Sequence, residues 1–463
     1  MSAQVQPYEV RSVTSAGDDG IGAVGRRLRR GFGGALHLPG EEGYEAARRP
    51  LFPSIDPRPA VVAEATGPAD VRAAVTAARE HGLPLAVQAT GHGTHVACGG
   101  GVLLKTSAMA AVMVDPARRV ARVGAGARWA DVLAAAAPFG LAPLSGSSPA
   151  VGVVGYTLGG GLGWLAREHG FAADSVVRAE VVTADGGTVT ASADRDPELF
   201  WALRGGGGNF GVVTSLEFRL YPVTSVYAGV AYFPIERAAE TLARYRAFAA
   251  GAPDAMSTAV LLRRMPGTED VPAAVRGRRV LAIKAMYDGD PGDAERLLRP
   301  LREAAGPHLL DEFRVTPYAK AAMGGTACRH LDLFEELPDP VIDALVEAEA
   351  RDGSPISAVE IRHWGGALTR PAPDAGPVGD RATRFSVIVD ARVPDLVESL
   401  RPHATGGSFL NFLSDPSRTA TAYTAQDHRR LTEVKRAYDP DNVFRRNLNI
   451  APAPEASRRA ARA

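Results

Sequence analysis

Three glycine-rich segments hold the residues of this chain best placed to do chemistry. The first is Gln88-Ala89-Thr90-Gly91-His92-Gly93-Thr94, just after a short apolar run. Consecutive backbone N–H groups in a glycine-flanked turn suit a pyrophosphate, and the same turn presents His92 with little bulk around it. A tight turn with an incidental histidine accounts for the same residues. The second segment is Gly152-Val153-Val154-Gly155-Tyr156-Thr157-Leu158-Gly159-Gly160-Gly161-Leu162-Gly163-Trp164. Glycine costs roughly 0.5–1 kcal/mol in a regular element. Something flat and large is therefore expected against that backbone. A Rossmann site needs a strand ahead of its glycines, and no convincing strand precedes Gly159. The third segment runs from Arg204 through Gly205, Gly206, Gly207, Gly208 and Asn209 to Val213 and Thr214. No Gly-Lys-Ser/Thr follows it, so it is not a Walker loop. Further along, Tyr287, Glu360 and His363 are titratable residues on predicted sheet segments. A histidine near neutral pKa suits general-base work. Tyr232, Phe233, Tyr287 and Trp364 are able to line an aromatic pocket, although packing is the commoner role of aromatics in sheets.

The elements that must position these residues are legible in outline. Gly67-Pro68-Ala69-Asp70 opens a helix with Val71, Val75 and Ala78 on one face, closed by Gly82. A strand over 83–89 then leads into the first loop. Strands read at 111–115 and 120–123, and a helix carries Trp129, Val132, Leu133 and Ala136 as far as Gly140. Residues 180–191 form a hairpin around Asp185-Gly186. Asp196-Pro197-Glu198 starts a helix with Asp196 as its cap. Leu216, Phe218 and Leu220 alternate as a strand. Pro222 and Val223 mark a boundary, beyond which the glycine clusters stop. Helical spacing at Ala238, Leu242, Tyr245 and Ala249, with strands at 279–287, 356–363 and 385–391, makes a second α+β unit. Residues 371–380 are a loop. An amphipathic tail helix carries Leu431, Val434 and Tyr438. The division is 1–44, an arm with one short helix; 45–222; 223–425; and 426–463.

Composition narrows the function. The chain has 463 residues, 46% hydrophobic and 22% charged, enough to bury a sizeable core. Lys+Arg and Asp+Glu are both 52, so the basic excess of a phosphate-gripping nucleic-acid binder is missing. Arg26, Arg27, Arg29 and Arg30 lack the apolar stretch of a twin-arginine signal and read as a solvated arm. No apolar run approaches roughly 18 residues, so no membrane span is expected. Two cysteines, Cys98 and Cys328, exclude a disulfide scaffold and fit a reducing, cytoplasmic setting. They lack ligand spacing, and no metal site is expected.

In order and spacing, the three segments resemble the berberine-bridge-enzyme-like branch of the vanillyl-alcohol-oxidase/PCMH flavoproteins. The resemblance covers about residues 45–225 and returns in the tail at Tyr438-Asp439-Pro440-Asp441-Asn442-Val443-Phe444-Arg445-Arg446-Asn447-Leu448-Asn449-Ile450. It implies an α+β fold, with two subdomains clasping FAD, then a substrate domain with an antiparallel sheet. The tail would return to the FAD domain.

The resemblance also implies roles. His92 stands where the family bonds histidine covalently to the flavin 8α-methyl, chemistry that needs an unprotonated imidazole nitrogen. Gln88 stands where the family has Arg, Thr90 where it has Gly, and His95 is a nearby competitor outside the matched position. Cofactor contacts are implied for Ala89, Thr90, Gly91, Gly93 and Thr94; for Gly152, Val153, Gly155, Tyr156, Thr157, Gly159, Gly160, Gly161 and Gly163; for Asn209 and Val213; and for Asn447 and Asn449. Ala173 replaces the family's second tether, a cysteine, so one covalent bond and a less open cleft for a small or medium-sized substrate are expected. Phe409 replaces the tyrosine base of a Tyr-x-Asn pattern on a late strand. That leaves Tyr287, Glu360 and His363 as base candidates and Trp364, Phe409 and Asn411 as pocket residues. The implied activity is hydride transfer from an alcohol, sugar, amine or specialised-metabolite intermediate to flavin N5, with molecular oxygen as reoxidant. A flavin-dependent monooxygenase or oxidative cyclase of secondary metabolism is the alternative, and a non-catalytic flavin-binding protein the lesser one.

Overall fold

The computed structural model describes residues 18–454. The expected arm and tail at 1–17 and 455–463 lie outside the described residues. Within them the chain is α+β, built on three sheets. The first has strand order Ala35–His37, Val61–Glu64, Val102–Lys105, Leu85–Gln88, the last three parallel. Parallel strands need a crossover, and the helix Pro68–Glu80 supplies it. Its Val71, Ala74, Val75 and Ala78 are fully buried against Val61, Val102 and Leu104. The second sheet is antiparallel, in the order Val112–Asp115, Val120–Gly124, Val212–Arg219, Val176–Val182, Thr188–Ala191. Helices Trp129–Ala136 and Pro197–Leu203 seal it, with Trp129, Phe200, Leu216 and Phe218 in one core.

The third sheet has eight antiparallel strands, with Arg279–Tyr287, Met256–Arg264, Ala358–His363 and Phe385–Val389 side by side at its centre. Side chains alternate between the faces of a strand. Val260, Ile283, Ile361 and Val387 point to a face covered by helices Ala238–Gly251, Pro291–Ala305, Asp339–Ala350 and Pro394–Leu400. The other face packs Ala259, Leu261, Ala282 and Met286 against Leu144, Trp164 and Ala172, beside the second glycine segment. The tail helix Ala425–Tyr438 is capped by Thr424, whose hydroxyl accepts from the Asp427 N–H. After it the chain runs back to the first sheet, where the Leu85 N–H donates to the Val443 carbonyl.

Three local expectations are corrected. The arginines at 26–30 are solvent-facing as expected, but they sit on and just after a helix that docks on the fold. The helix Asp18–Arg29 buries Val24 and Leu28 against the Pro68–Glu80 helix, and Arg27 pairs with Glu80 at 2.8 Å. Asp196 does not cap its helix: it sits at φ 49°, makes no capping bond, and accepts from the Tyr438 hydroxyl instead. Residues 408–412 are not a strand. Phe409 and Leu410 insert into different cores, and Leu410–Phe412 coils into a 3₁₀ turn.

Candidate functional site

The first loop leaves the strand Leu85–Gln88 and turns at Gly91, whose φ of 87° is left-handed. A Cβ there would meet the Gln88 side chain at 2.8 Å. Thr90 replaces a family glycine with effect: its Oγ1 lies 3.0 Å from His92 Nδ1. That bond leaves Nε2 as the nitrogen available for other chemistry. Burial and nearby Arg128 hold the His92 pKa below its ordinary value, favouring the neutral ring. His95 is likewise depressed, by burial and Arg329. Gly93 faces open space.

The second segment is a short helix, Val153–Leu158, followed by the glycine run. No strand precedes those glycines, in keeping with the rejected Rossmann reading. Part of the close approach these glycines permit is to the chain's own segments. A Cβ at Gly159 would meet Asn411 at 2.7 Å, at Gly160 Phe409 at 2.9 Å, and at Gly163 the Ser145 carbonyl at 2.3 Å. At Gly161 it would meet the Tyr156 ring at 2.5 Å. The chain's own segments lie against this backbone. Asn411 grips it from both ends, its Oδ1 accepting from the Gly161 N–H and its Nδ2 donating to the Tyr156 carbonyl, each at 2.9 Å. Asn411 is thus a clamp on the loop and not a pocket residue.

Phe409 and Trp364, also expected in the pocket, are buried with Phe171 in an aromatic cluster, with centroids 5.4–5.8 Å apart. Trp364 Nε1 donates to Ser386 Oγ. Val153 is wholly in the core, and the Thr157 hydroxyl donates to the Val153 carbonyl within the helix. Tyr156 differs: its hydroxyl is buried without a partner, and its ring meets Trp129 edge-on at 5.4 Å. Gly152 packs by Ala89 and Thr90 of the first loop, and Gly155 faces open space. Ala173, the position of a possible second tether, is buried and bonds its N–H to the Gly160 carbonyl. Cys98 is buried with its thiol pushed up to about 11. Cys328 bonds the Phe412 carbonyl, its thiol pushed up to about 12.

In the third segment Asn209 is a brace for the tail. Its Nδ2 donates to the Gly206 and Leu448 carbonyls, and its Oδ1 accepts from the Ile450 N–H. No side-chain group of Asn209 is left for a ligand. Val213 lies in the second sheet's core. Asn447 and Asn449 remain: each keeps a buried Oδ1 with no partner.

The sheet face turned toward these loops carries the residues able to move protons. Two of the three expected base candidates fail by strand parity. Tyr287 shares the helix-covered face with Leu281 and Ile283 and packs with Tyr227 and Leu298. His363 shares it with Val359 and Ile361, receives Arg167 Nη1 at Nε2 and stacks on Phe385. Burial and Arg167 push His363 down to about 2, so it is no base near neutrality. Glu360 faces the site: it is 3% exposed and accepts from the Thr326 hydroxyl at 2.9 Å. With it on that face stand Lys284 and Arg362, which the sequence reading missed. Lys284 and Arg362 both lie opposite Ala259 in the register, a small residue that leaves room between them. Lys284 is 4% exposed, its one hydrogen bond a long 3.4 Å contact to the Gly324 carbonyl. Burial lowers its pKa, against the opposing pull of Glu360. Arg362 stacks over Trp164 and donates to the Gly163 carbonyl. Parity along 279–287 puts Lys284 and Tyr287 on opposite faces, and the helix packing decides which of the two faces meets the loops.

A strand-to-loop turn bearing a histidine, two further glycine segments and a buried lysine and glutamate face one another here, the arrangement of an enzyme site. Family comparison names the cofactor. Residues 59–192 match an FAD binding domain, and 404–451 match the berberine and berberine-like segment. The chain is 29% identical to the (R)-6-hydroxynicotine oxidase of Paenarthrobacter nicotinovorans, over 90% of this chain and 97% of that one. It superimposes on the crystal structure of 6-hydroxy-D-nicotine oxidase from Arthrobacter nicotinovorans with a TM-score of 0.76 and 26% identity, covering 91% and 98% of the two chains. A berberine-bridge-enzyme-like protein of Physcomitrella patens shares the fold, with a TM-score of 0.80 at 22% identity over 91% and 97%. This chain is an FAD-linked oxidoreductase with an FAD binding domain and a berberine-like segment, and over most of its length it is similar to berberine-bridge-enzyme-like, PCMH-type oxidases. Its residues fit that group. The unpartnered Asn447 and Asn449 oxygens offer acceptors to a polar ring, and Gly93 and Gly155 leave open space beside the two loops. Among the described residues no helix is long and apolar enough to cross a membrane.

Proposed function

We propose that this protein is an oxidase that takes hydride from a small or medium-sized organic substrate, an amine in the first instance, and passes the electrons to molecular oxygen. The observation that carries this reading is the buried Lys284–Glu360 couple on the sheet face turned to the glycine loops. When bound, FAD supplies the hydride acceptor at N5. The chain positions the substrate and handles its proton. Burial disfavours the Lys284 ammonium and so eases its conversion to the neutral amine, the form that accepts the proton from a substrate N–H or O–H as hydride departs. Glu360, oriented by Thr326, stands on the same sheet face two strands away. The relation to a hydroxynicotine oxidase supports an amine, with alcohols, sugars and specialised-metabolite intermediates as the wider class.

His92 is the single tether in this reading. Thr90 engages Nδ1, so the bond forms through Nε2: the depressed pKa favours the neutral ring, and the tautomer with Nδ1–H donating to Thr90 Oγ1 leaves Nε2 unprotonated. Ala173 offers no second bond. The test is anaerobic mixing of the purified protein with a panel of amines, alcohols and sugars while flavin absorbance is followed. Bleaching by an amine, then one peroxide per turnover on admitting air, is the expected result. A flavin that dithionite bleaches and no member of the panel does would sink the oxidase reading. A monooxygenase or oxidative cyclase is the second reading, favoured by Phe409, which cannot take a proton; peroxide well below one per product would select it.

A further inference from the structure

Behind the second glycine segment, three side chains from two parts of the fold meet with no assigned role. Glu168 and His169 end the short helix Ala166–His169, and Asp288 follows the central strand Arg279–Tyr287. A carboxylate oxygen of each acid and a ring nitrogen of His169 lie within 4.8 Å of one another. Glu168 Oε2 and His169 Nε2 are 4.0 Å apart. Both atoms are sealed from solvent, and neither has a hydrogen-bond partner. Buried polar atoms are rarely left unpaired. The His169 ring is fixed by stacking on Tyr221, with centroids 4.1 Å apart and planes within 19°. Another acid, Asp254, stands near and is held by Arg370. Among the described residues no lysine or arginine pairs with Glu168 or Asp288, and the nearest basic group to Glu168 is His169 itself. Arg167, next in the chain, is spent elsewhere, on the Met256, Ala252 and Pro253 carbonyls and on His363.

We infer that Glu168, His169 and Asp288 form a binding site for a divalent transition-metal ion, Zn²⁺ by preference, completed by water. One nitrogen and two carboxylate oxygens are a donor set suited to zinc, with bonds of about 2.0–2.2 Å. Tetrahedral bonds of that length set donors roughly 3.3–3.6 Å apart, so the acid side chains rotate inward from their present spacing of up to 4.8 Å. The ion would staple the helix after the second glycine run to the end of the substrate-domain sheet. Asp288 stands four residues past Lys284, roughly 13 Å along the chain direction of that strand, so the ion has a structural and not a redox role.

The experiment is calorimetric titration of chelator-treated holoprotein with ZnCl₂, with thermal unfolding on the same samples. One ion per chain and a raised Tm are expected in the wild type, with affinity falling at least about tenfold in Asp288→Asn and in His169→Gln. Both substitutions keep size and polarity, so folded variants are checked by retained flavin colour. Absence of one-to-one binding, or binding equally tight in both variants, would overturn the site.

Discussion

Lys435 and Asp439 form an ion pair 2.5 Å long in which neither side chain has any exposure to solvent. The lysine also donates to the Asn209 carbonyl, and the aspartate accepts the N–H groups of Val443 and Phe444. One buried pair thereby joins the tail helix, the third glycine segment and the strand of tail that carries Asn447 and Asn449. Removing one partner strands a buried charge. Lys435→Met is expected to cost about 3–5 kcal/mol and to lower flavin content. Lys435→Met with Asp439→Leu should recover part of that loss. Chemical denaturation of both variants checks it; equal stability of the single variant and the wild type would show that the pair does not hold the tail.

For the tether, His92→Ala should yield protein whose yellow colour washes out of an acid-denatured pellet. Thr90→Val removes the partner of Nδ1 and should slow covalent attachment without abolishing it. Peptide mass spectrometry then locates the bond. Flavin still bound covalently in His92→Ala would move the tether to His95.

For proton handling, Lys284→Met and Glu360→Gln should each lower kcat by about 10²–10⁴-fold. Because the Lys284 pKa is depressed, the wild-type kcat/KM should rise as pH climbs through that lowered value and the amine loses its proton. A pH–rate profile of Lys284→Met that kept the same limb would assign the limb to another group.

His363 sets an acid limit on stability. Its folded pKa of about 2 lies below the ordinary 6.5. Above pH 6.5 the ring is neutral in both states and contributes no pH dependence. As pH falls toward 2, the unfolded chain takes up a proton that the folded chain refuses, at a cost of up to about 1.4 kcal/mol per pH unit. His363→Gln keeps an acceptor for Arg167, so its Tm should fall less steeply between pH 7 and 5. Parallel slopes would contradict the assignment.

Gly160 has φ 114°, with Phe409 a carbon–carbon contact away from any added Cβ. Gly160→Ala should destabilise by about 1–3 kcal/mol through strain and overpacking. Asn411→Ala should cost about 1–2 kcal/mol by freeing the buried loop groups it bonds. Differential scanning calorimetry reads both, and a neutral Gly160→Ala would mean the loop shifts freely.

The sequence by itself determined the order of elements, the helix and strand periods, and the three glycine segments with His92 at a turn. It also carried the family resemblance, because local backbone needs and motif spacing are written in adjacent residues. What the glycines answer to was decided by tertiary structure: Asn411, Phe409 and the Ser145 carbonyl reach them from far along the chain. The base candidates were decided there too. Sequence marked Tyr287, Glu360 and His363 as sheet residues, but which face meets the loops depends on which face the helices cover. That packing retired Tyr287 and His363, kept Glu360, and added Lys284 two strands away, a neighbour no local spacing can reveal.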